Sequence, residues 1–111
     1  MDLERDPSPE AGEAGENQRE SRVTRRRNRM AGLWAAELLG LLGQATQDYA
    51  RDLVHAHDRS IGDESVIGRL AADLKGKASI HDIRVKLSHL LHEARRQLID
   101  ESHHHHHTKS Q

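Results

Sequence analysis

Histidine, lysine and acidic residues of this chain form only partial versions of known catalytic motifs. His92 precedes a glutamate, as in the His-Glu-x-x-His motif of zinc proteases, but Arg96 occupies the position of the second zinc ligand. Gly76 precedes a lysine, as at the end of a phosphate-binding loop, yet Ala78 follows where that motif needs Ser or Thr for Mg²⁺. The chain has no Cys, which excludes thiolate nucleophiles and thiolate metal sites. The sequence therefore predicts that the protein is not an enzyme.

Histidines before the C-terminal tail are too few and too scattered to form a complete metal site. They are His55, His57, His81, His89 and His92. His89 and His92 are three residues apart, so a helix places them near each other. A structural zinc site usually has four ligands, and two histidines do not supply them. We therefore expect solvent-exposed histidines, with no metal and no cofactor.

An arginine-rich segment is the strongest candidate for contact with a partner. It reads Arg25-Arg26-Arg27-Asn28-Arg29. It is either the polar face of a helix that pairs with nearby acids, a docking site for an acidic protein surface, or a nucleic-acid contact. The first two interpretations are compatible, and we favour them because no aromatic residues are interleaved for base recognition. Arginine also binds phosphate, but no motif indicates a nucleotide site.

Trp34 is a further candidate, although a place in the core is its simpler interpretation. Small residues flank it, and Gly32 and Ala36 are predicted to let a neighbouring helix approach closely. The partner-binding candidates are Arg25, Arg26, Arg27, Asn28, Arg29 and Trp34.

Charge is nearly balanced over the whole chain but unevenly distributed along it. The 111 residues carry a formal net charge of −1, with 34% hydrophobic and 32% charged residues. Residues 1–20 contain seven acids against two arginines, a net charge of −5, and residues 21–31 contain five arginines and no acid, a net charge of +5. Such separation is typical of an interaction segment. No apolar run is long enough for a membrane span, and no signal-peptide core is present, so we expect a cytoplasmic protein.

Apolar residues recur at helical spacing in four segments, with no competing strand pattern. The expected fold is all-α, a small four-helix bundle preceded by a disordered N-terminal arm. The arm is residues 1–18, which hold both prolines and almost no large apolar residue. The four-helix domain is residues 19–101. Residues 102–111 form a His-rich flexible tail, either natural or a purification tag.

Turn residues and caps set the expected helix boundaries. The first helix starts near Gln18 or Arg19, and Gly40 and Gly43 bracket its end. The second runs from about Gln44 to Asp58. The third is capped by Asp63 and closed around Gly76, and the fourth starts at Ser79 with a capping box to Asp82. The predicted core stripes are Val23, Met30, Trp34, Leu38 and Leu41; Ala45, Tyr49, Leu53 and Ala56; Val66, Leu70 and Leu74; and Ile80, Ile83, Leu87, Leu90, Ala94 and Leu98.

Residues 26–40, RRNRMAGLWAAELLG, resemble the signature of the zeta subunit family, the alphaproteobacterial inhibitor of the F-type ATP synthase. The resemblance covers about residues 22–99. Matching positions follow in order downstream: Tyr49-Ala50, Asp58, Gly62-Asp63-Glu64, Val66, Ala72-Asp73, Ile83-Arg84, Lys86, Leu90-Leu91 and Ala94-Arg95. The resemblance implies a four-helix fold whose body docks on subunits of the synthase's catalytic head. It also implies an N-terminal segment, disordered when free, that folds into a catalytic interface and blocks ATP hydrolysis.

The N-terminal arm departs from that family pattern. Family members carry phenylalanines in a helix-forming segment before the Arg-Arg-Asn motif, whereas this chain has no Phe and has Ser21 where an aromatic is common. Pro9, Gly12 and Gly15 also weaken a helix there. We expect a regulatory subunit that docks on the head, is peripheral to the membrane when bound, is a monomer when free, and inhibits weakly or not at all. The alternative is a non-inhibitory helical interaction module that binds another protein partner.

Overall fold

Four α-helices make up the chain in the computed structural model, which describes residues 7–58 and 62–109. The helices are α1 (Pro7–Leu39), α2 (Gln44–Asp58), α3 (Glu64–Asp73) and α4 (Ile80–Lys109), and no strand occurs among the described residues. The predicted four-helix, all-α fold is confirmed. Within the described ranges, every helix is too short or too polar to cross a membrane.

Helix α1 begins at Pro7, well before the predicted start near Gln18. Both prolines of the chain, Pro7 and Pro9, lie in its first turn. The first four N–H groups of a helix have no intrahelical partner, so proline's missing N–H costs nothing there. The prediction treated Pro9 as a residue of a helix interior, which it is not. Of the predicted arm, residues 1–6 lie outside the described residues.

Gly40, the first of the two glycines predicted to bracket the end of α1, ends it with a φ of 77° that suits glycine. The Gly40 N–H donates to the Glu37 carbonyl at 3.1 Å, and the Leu41 N–H donates to the Ala36 carbonyl at 2.9 Å. These two bonds form a Schellman motif, which satisfies carbonyls at the helix end. The chain then turns directly into α2, whose bounds match the predicted ones.

Asp63 stands at the N-terminus of α3 but does not cap it with its side chain, which corrects the predicted cap. Its backbone carbonyl still accepts the Ile67 N–H at 2.9 Å. The carboxylate is occupied elsewhere, by an arginine of α1 described below. At the other end of α3 the chain turns through Gly76, whose φ is 84°, as predicted.

A reciprocal capping box starts α4, as predicted from Ser79 and Asp82. The Asp82 N–H donates to the Ser79 hydroxyl oxygen at 3.0 Å, and the Ser79 N–H donates to the Asp82 carboxylate at 3.1 Å. The hydrogen bond from the Ser79 N–H to the carboxylate is the main cause that lowers the pKa of Asp82. The backbone of α4 continues to Lys109, through the His-rich segment that was predicted as a flexible tail.

The core brings alanines from α1 against larger side chains from the other three helices. The fully buried large residues include Leu53, Leu70, Leu74, Ile83 and Val66, each worth about 1.5–3 kcal/mol when buried. From α1 the cluster receives Ala31 and Ala35. The small side chains of α1 let the neighbouring helices approach its axis closely.

Three residues of the predicted stripes are exposed instead of buried. They are Leu38 at 38%, Ile80 at 53%, and Ala45. All three lie in terminal turns of their helices, where the neighbouring helices no longer cover the buried face.

Helices α1 and α2 approach each other closely at Gly32. A Cβ atom built on Gly32 would lie 2.6 Å from the backbone Cα of Ala50 and 3.0 Å from its Cβ. No side chain fits there without moving a backbone. The predicted role of Gly32 in close helix packing is therefore confirmed.

Tyr49 links α2 to α3 through a polar contact outside the core. Its hydroxyl donates to the Asp73 carboxylate at 2.7 Å, and the Arg69 guanidinium lies 5.1 Å from the ring centroid. Burial, and after it the hydrogen bond to Asp73, raises the pKa of Tyr49.

Candidate functional site

The arginine-rich segment of α1 divides into a buried pair and an outward-facing set. Arg27 is 4% exposed and Asn28 is fully buried, whereas Arg25 and Arg29 are exposed and Arg26 is half-buried. Helical geometry explains the division, since Arg27 lies four residues from both Val23 and Ala31 and so shares their buried face.

The buried pair ties the middle of α1 to the start of α3. The Arg27 guanidinium donates to both Asp63 carboxylate oxygens at 2.8 and 3.1 Å. Its Nε and Nη2 also donate to the Asn28 side-chain oxygen at 3.0 and 2.7 Å. The hydrogen bond from Arg27 is the main cause that lowers the pKa of Asp63, and the His57 ring lies 3.8 Å from the same carboxylate. Arg27 and Asn28 thus hold the fold together.

The outward-facing arginines pair with groups on the helices at either side of α1. Arg25 donates to Asp58 of α2 at 2.8 Å. Arg26 donates to both carboxylate oxygens of Glu101 on α4, at 2.6 and 3.0 Å, and lowers the pKa of Glu101 by that hydrogen bond. Arg29 donates to the neutral Gln47 of α2 at 2.6 Å. The interpretation of this segment as a polar helix face paired with nearby acids is confirmed for Arg25 and Arg26. It is wrong for Arg27 and Asn28, which are buried, and Arg29 pairs with a neutral group.

Two adjoining grooves open where these arginines lie. The first, about 380 Å³, lies between α1, α2 and α4, and the second, about 940 Å³, lies between α1 and α4. Arg22, Arg26 and Leu98 line both. The first groove is lined by Arg22, Arg25, Arg26, Arg29, Arg51, Val54, His55 and Leu98.

Sequence reasoning did not include Arg22 or Arg51 in this surface. Arg22, Arg25, Arg26 and Arg29 follow one another at spacings of three, one and three, which places them on one side of a helix, so that signal was present for Arg22. Arg51 joins the surface only through the antiparallel packing of α2 on α1, which no local pattern encodes.

Trp34 lies apart from the grooves, in the contact between α1 and α4. It is half-buried and packs against the core cluster. The Lys86 ammonium lies 5.7 Å from the centroid of its ring, within cation–π range. The structure therefore brings Arg25, Arg26 and Arg29 together and separates Trp34 from them.

Metal-binding geometry is missing from the described part of the chain. No three His, Cys, Asp or Glu side chains in residues 17–58 and 62–101 are grouped closely enough to hold an ion. His89 and His92 are exposed on α4.

Comparisons with known proteins agree with the sequence resemblance. A family model described as ATPase inhibitor subunit zeta matches residues 4–97. A solved structure titled "Solution NMR structure of the protein" is similar to this chain with 36% sequence identity and a TM-score of 0.68, over 74% of this chain and 96% of that one. No curated protein matches the sequence.

Proposed function

Because the chain belongs to the ATPase inhibitor subunit zeta family, we propose that it is a regulatory, non-catalytic subunit that docks on the catalytic head of the F-type ATP synthase. The observation that carries this proposal is the family match over residues 4–97, which spans all of α1, α2 and α3 and the first part of α4. In this proposal the protein is a monomer when free. It works on the cytoplasmic side and is peripheral to the membrane only through the synthase.

Weak inhibition is the second part of the proposal, and it depends on the composition of α1. The prolines do not prevent the N-terminal segment from forming an inhibitory helix, because they occupy the first turn of α1. The remaining obstacle is the lack of anchors, since residues 7–22 contain no large apolar side chain. A few buried aromatic or aliphatic anchors usually carry most of the binding energy of an interface. Gly12 and Gly15 add about 1 kcal/mol each to the cost of a helix there.

The test is a titration of the isolated catalytic head with the purified chain, followed by gel filtration and an ATP hydrolysis assay. We expect the chain to co-elute with the head while most of the hydrolysis rate remains at saturation. Failure to co-elute would overturn the docking proposal, and recovery of the chain with unrelated proteins in a pull-down would favour the alternative interaction module. Complete arrest of ATP hydrolysis would overturn the proposal of weak inhibition and leave the docking proposal standing.

A gain-of-function variant sharpens the same test. Ser21→Phe adds one aromatic anchor at an exposed position of α1, and we expect it to increase inhibition at equal occupancy of the head. Ser88→Phe adds the same side chain at an exposed position of α4 and serves as the matched control. Equal inhibition by the two variants would show that a missing anchor in α1 is not the reason for weak inhibition.

A further inference from the structure

We infer that the 380 Å³ groove, here called the arginine groove, is the surface by which the body of this protein binds the catalytic head. The occupant we infer is an acidic segment of the head with an apolar face. This inference rests on the proposed docking function and adds to it the surface, the chemistry of the partner segment and the residues that recognise it.

Positive charge in the arginine groove exceeds what the protein itself neutralises. Arg22 has no side-chain hydrogen bond or ion pair with any side chain in residues 17–58 or 62–101, and among the same residues Arg29 donates only to the uncharged Gln47. Arg25 is paired with the Asp58 carboxylate, and Arg26 is paired with the Glu101 carboxylate. A concave surface with this surplus attracts acidic groups and raises the rate of their association.

Arg51, on the α2 side of the groove, has acids only on its own helix. Its guanidinium lies 3.1 Å from the Asp48 carboxylate and 3.9 Å from the Asp52 carboxylate. More than half of the Arg51 side chain remains exposed. Exposed ion pairs of this kind are weak, so a carboxylate of a partner can compete for the guanidinium at little cost.

Apolar side chains between the arginines give the groove a second means of recognition. Val54 of α2 and Leu98 of α4 are half-buried and line it. Nearby Ile99 is 57% exposed and lines the adjoining groove. Arginine is enriched at protein interfaces and among the residues that carry most of their binding energy, and the apolar side chains add surface that a partner can bury. The two grooves share Arg22, Arg26 and Leu98, so together they form a depression long enough for a peptide segment.

The acidic N-terminus of the same molecule does not fit as the occupant while α1 is intact. Pro7 lies fifteen residues before Arg22 on one helix, a distance of about 22 Å. Residues 7–21 continue α1 away from Arg22 and so cannot fold back over the groove while the helix is intact. This leaves a partner protein as the occupant that we infer, with a second copy of the chain as an outcome that the experiment separates.

The experiment measures binding of the full-length chain to the isolated catalytic head with two double variants of equal charge change. Arg22→Glu with Arg29→Glu reverses two charges in the groove. Lys75→Glu with Lys77→Glu reverses two exposed charges in the turn between α3 and α4, where neither lysine pairs with another described residue. We expect the dissociation constant to rise at least about tenfold for the groove variant and to stay within about twofold for the control.

Circular dichroism keeps the result interpretable, because both substituted arginines are exposed and the groove variant should keep its helix content and melting temperature. The salt dependence of binding should also be less steep for the groove variant. If both variants weakened binding equally while the wild type still bound, the arginine groove would not be the docking surface, and the docking function itself would stand. No binding by the wild type would overturn both.

Cross-linking identifies the occupant directly, because a chain without Cys accepts a single labelling site. A photoreactive group on His55→Cys, at the edge of the groove, should couple to an Asp- and Glu-rich segment of the head. The same group on Lys77→Cys should not couple to that segment. Coupling of the His55→Cys label to residues 1–20 of a second copy, in place of the head, would overturn the inferred occupant.

Discussion

The two halves of residues 19–39 of α1 contact the neighbouring helices in different ways. Residues 31–39, the packed half, present small side chains and contact α2 so closely that the Cα atom of Ala50 fills the place of a Gly32 side chain. Residues 19–29, the charged half, reach the same neighbours mainly through long arginine side chains, with grooves of about 380 and 940 Å³ beside them.

This difference separates stability from recognition along one helix. Close packing in the packed half supplies dispersion and hydrophobic energy but leaves no groove on the face that meets α2. The charged half gives up packing density and keeps exposed arginines, whose bridges to other helices are individually weak. Arg27 is the exception, because it lies in the charged half and is nevertheless buried.

The largest predicted effect on stability comes from Arg27. A large loss on its substitution would show that the charged half also contains one ion pair that stabilises the fold. Arg27→Met leaves Asp63 and the Asn28 side-chain oxygen without their donors. We expect a loss of about 2–3 kcal/mol of unfolding free energy, at the low end for a broken buried pair because Asp63 is 41% exposed. Urea unfolding measures it. A loss of unfolding free energy as small as that expected for an exposed arginine would show that Arg27 does not differ from the other arginines of the charged half.

The next effect tests the packed half with one substitution at two glycines. Gly32→Ala forces a Cβ against the Ala50 backbone, and we expect it to cost about 1–2 kcal/mol despite alanine's better helix propensity. Gly68→Ala in α3 meets no atom within 4 Å and should stabilise by about 0.5–1 kcal/mol. Thermal melts of both variants give the signs. The same sign for both would mean that the α1–α2 contact is looser than described.

A smaller effect is expected at the start of α4, which packs against α1. Ser79→Ala removes the hydroxyl that accepts the Asp82 N–H, and should cost about 1 kcal/mol. Ser88→Ala, on the exposed side of the same helix, is the control and should change stability little. Chemical denaturation of both variants measures the difference, and equal stabilities would contradict a working capping box.

Still smaller is the effect of breaking a bridge within the charged half. Arg26→Gln removes both bonds to Glu101, which is 59% exposed, and should cost less than about 1 kcal/mol. High salt should reduce the wild-type advantage further. A cost as large as that of Arg27→Met would mean that the charged half is held as rigidly as the packed half.

The last prediction concerns acid, and its sign follows from four carboxylates whose pKa values are lowered in the folded protein. Asp63, Asp82, Glu93 and Glu101 are each held ionised by hydrogen bonds. As pH falls below about 4, the unfolded chain binds protons first, so stability that is complete above that pH declines through the folded pKa values. Melting temperatures between pH 7 and pH 2 should fall accordingly. Asp63→Asn should flatten the decline, and an unchanged slope would contradict the assigned role of Arg27.

Local sequence signals predicted much of this architecture because they act over a few residues. Gly40 needs a positive φ, and Ser79 and Asp82 satisfy each other's N–H groups. Each of these devices is complete within about one helical turn, so its chemistry can be read without knowing the tertiary structure.

Features that depend on distant partners were beyond such patterns. The burial of Arg27 and Asn28 depends on Asp63, more than thirty residues away, and the same contact withdraws Asp63 from its predicted capping role. A search for apolar periodicity does not detect polar residues, even when they lie on the buried face of a helix. The arginine groove likewise needs α2 and α4 to bring Arg51 and Leu98 beside α1.

The single tryptophan gives this protein an optical reporter that requires no label. Trp34 lies half-buried between the core and the Lys86 ammonium, at the junction of α1 and α4 and more than one turn beyond Arg29. A ligand seated in the arginine groove leaves the surroundings of the indole unchanged, whereas separation of α4 from α1 wets the ring and shifts its emission to longer wavelength. Native fluorescence therefore distinguishes a body that binds as a rigid unit from one that opens when it binds.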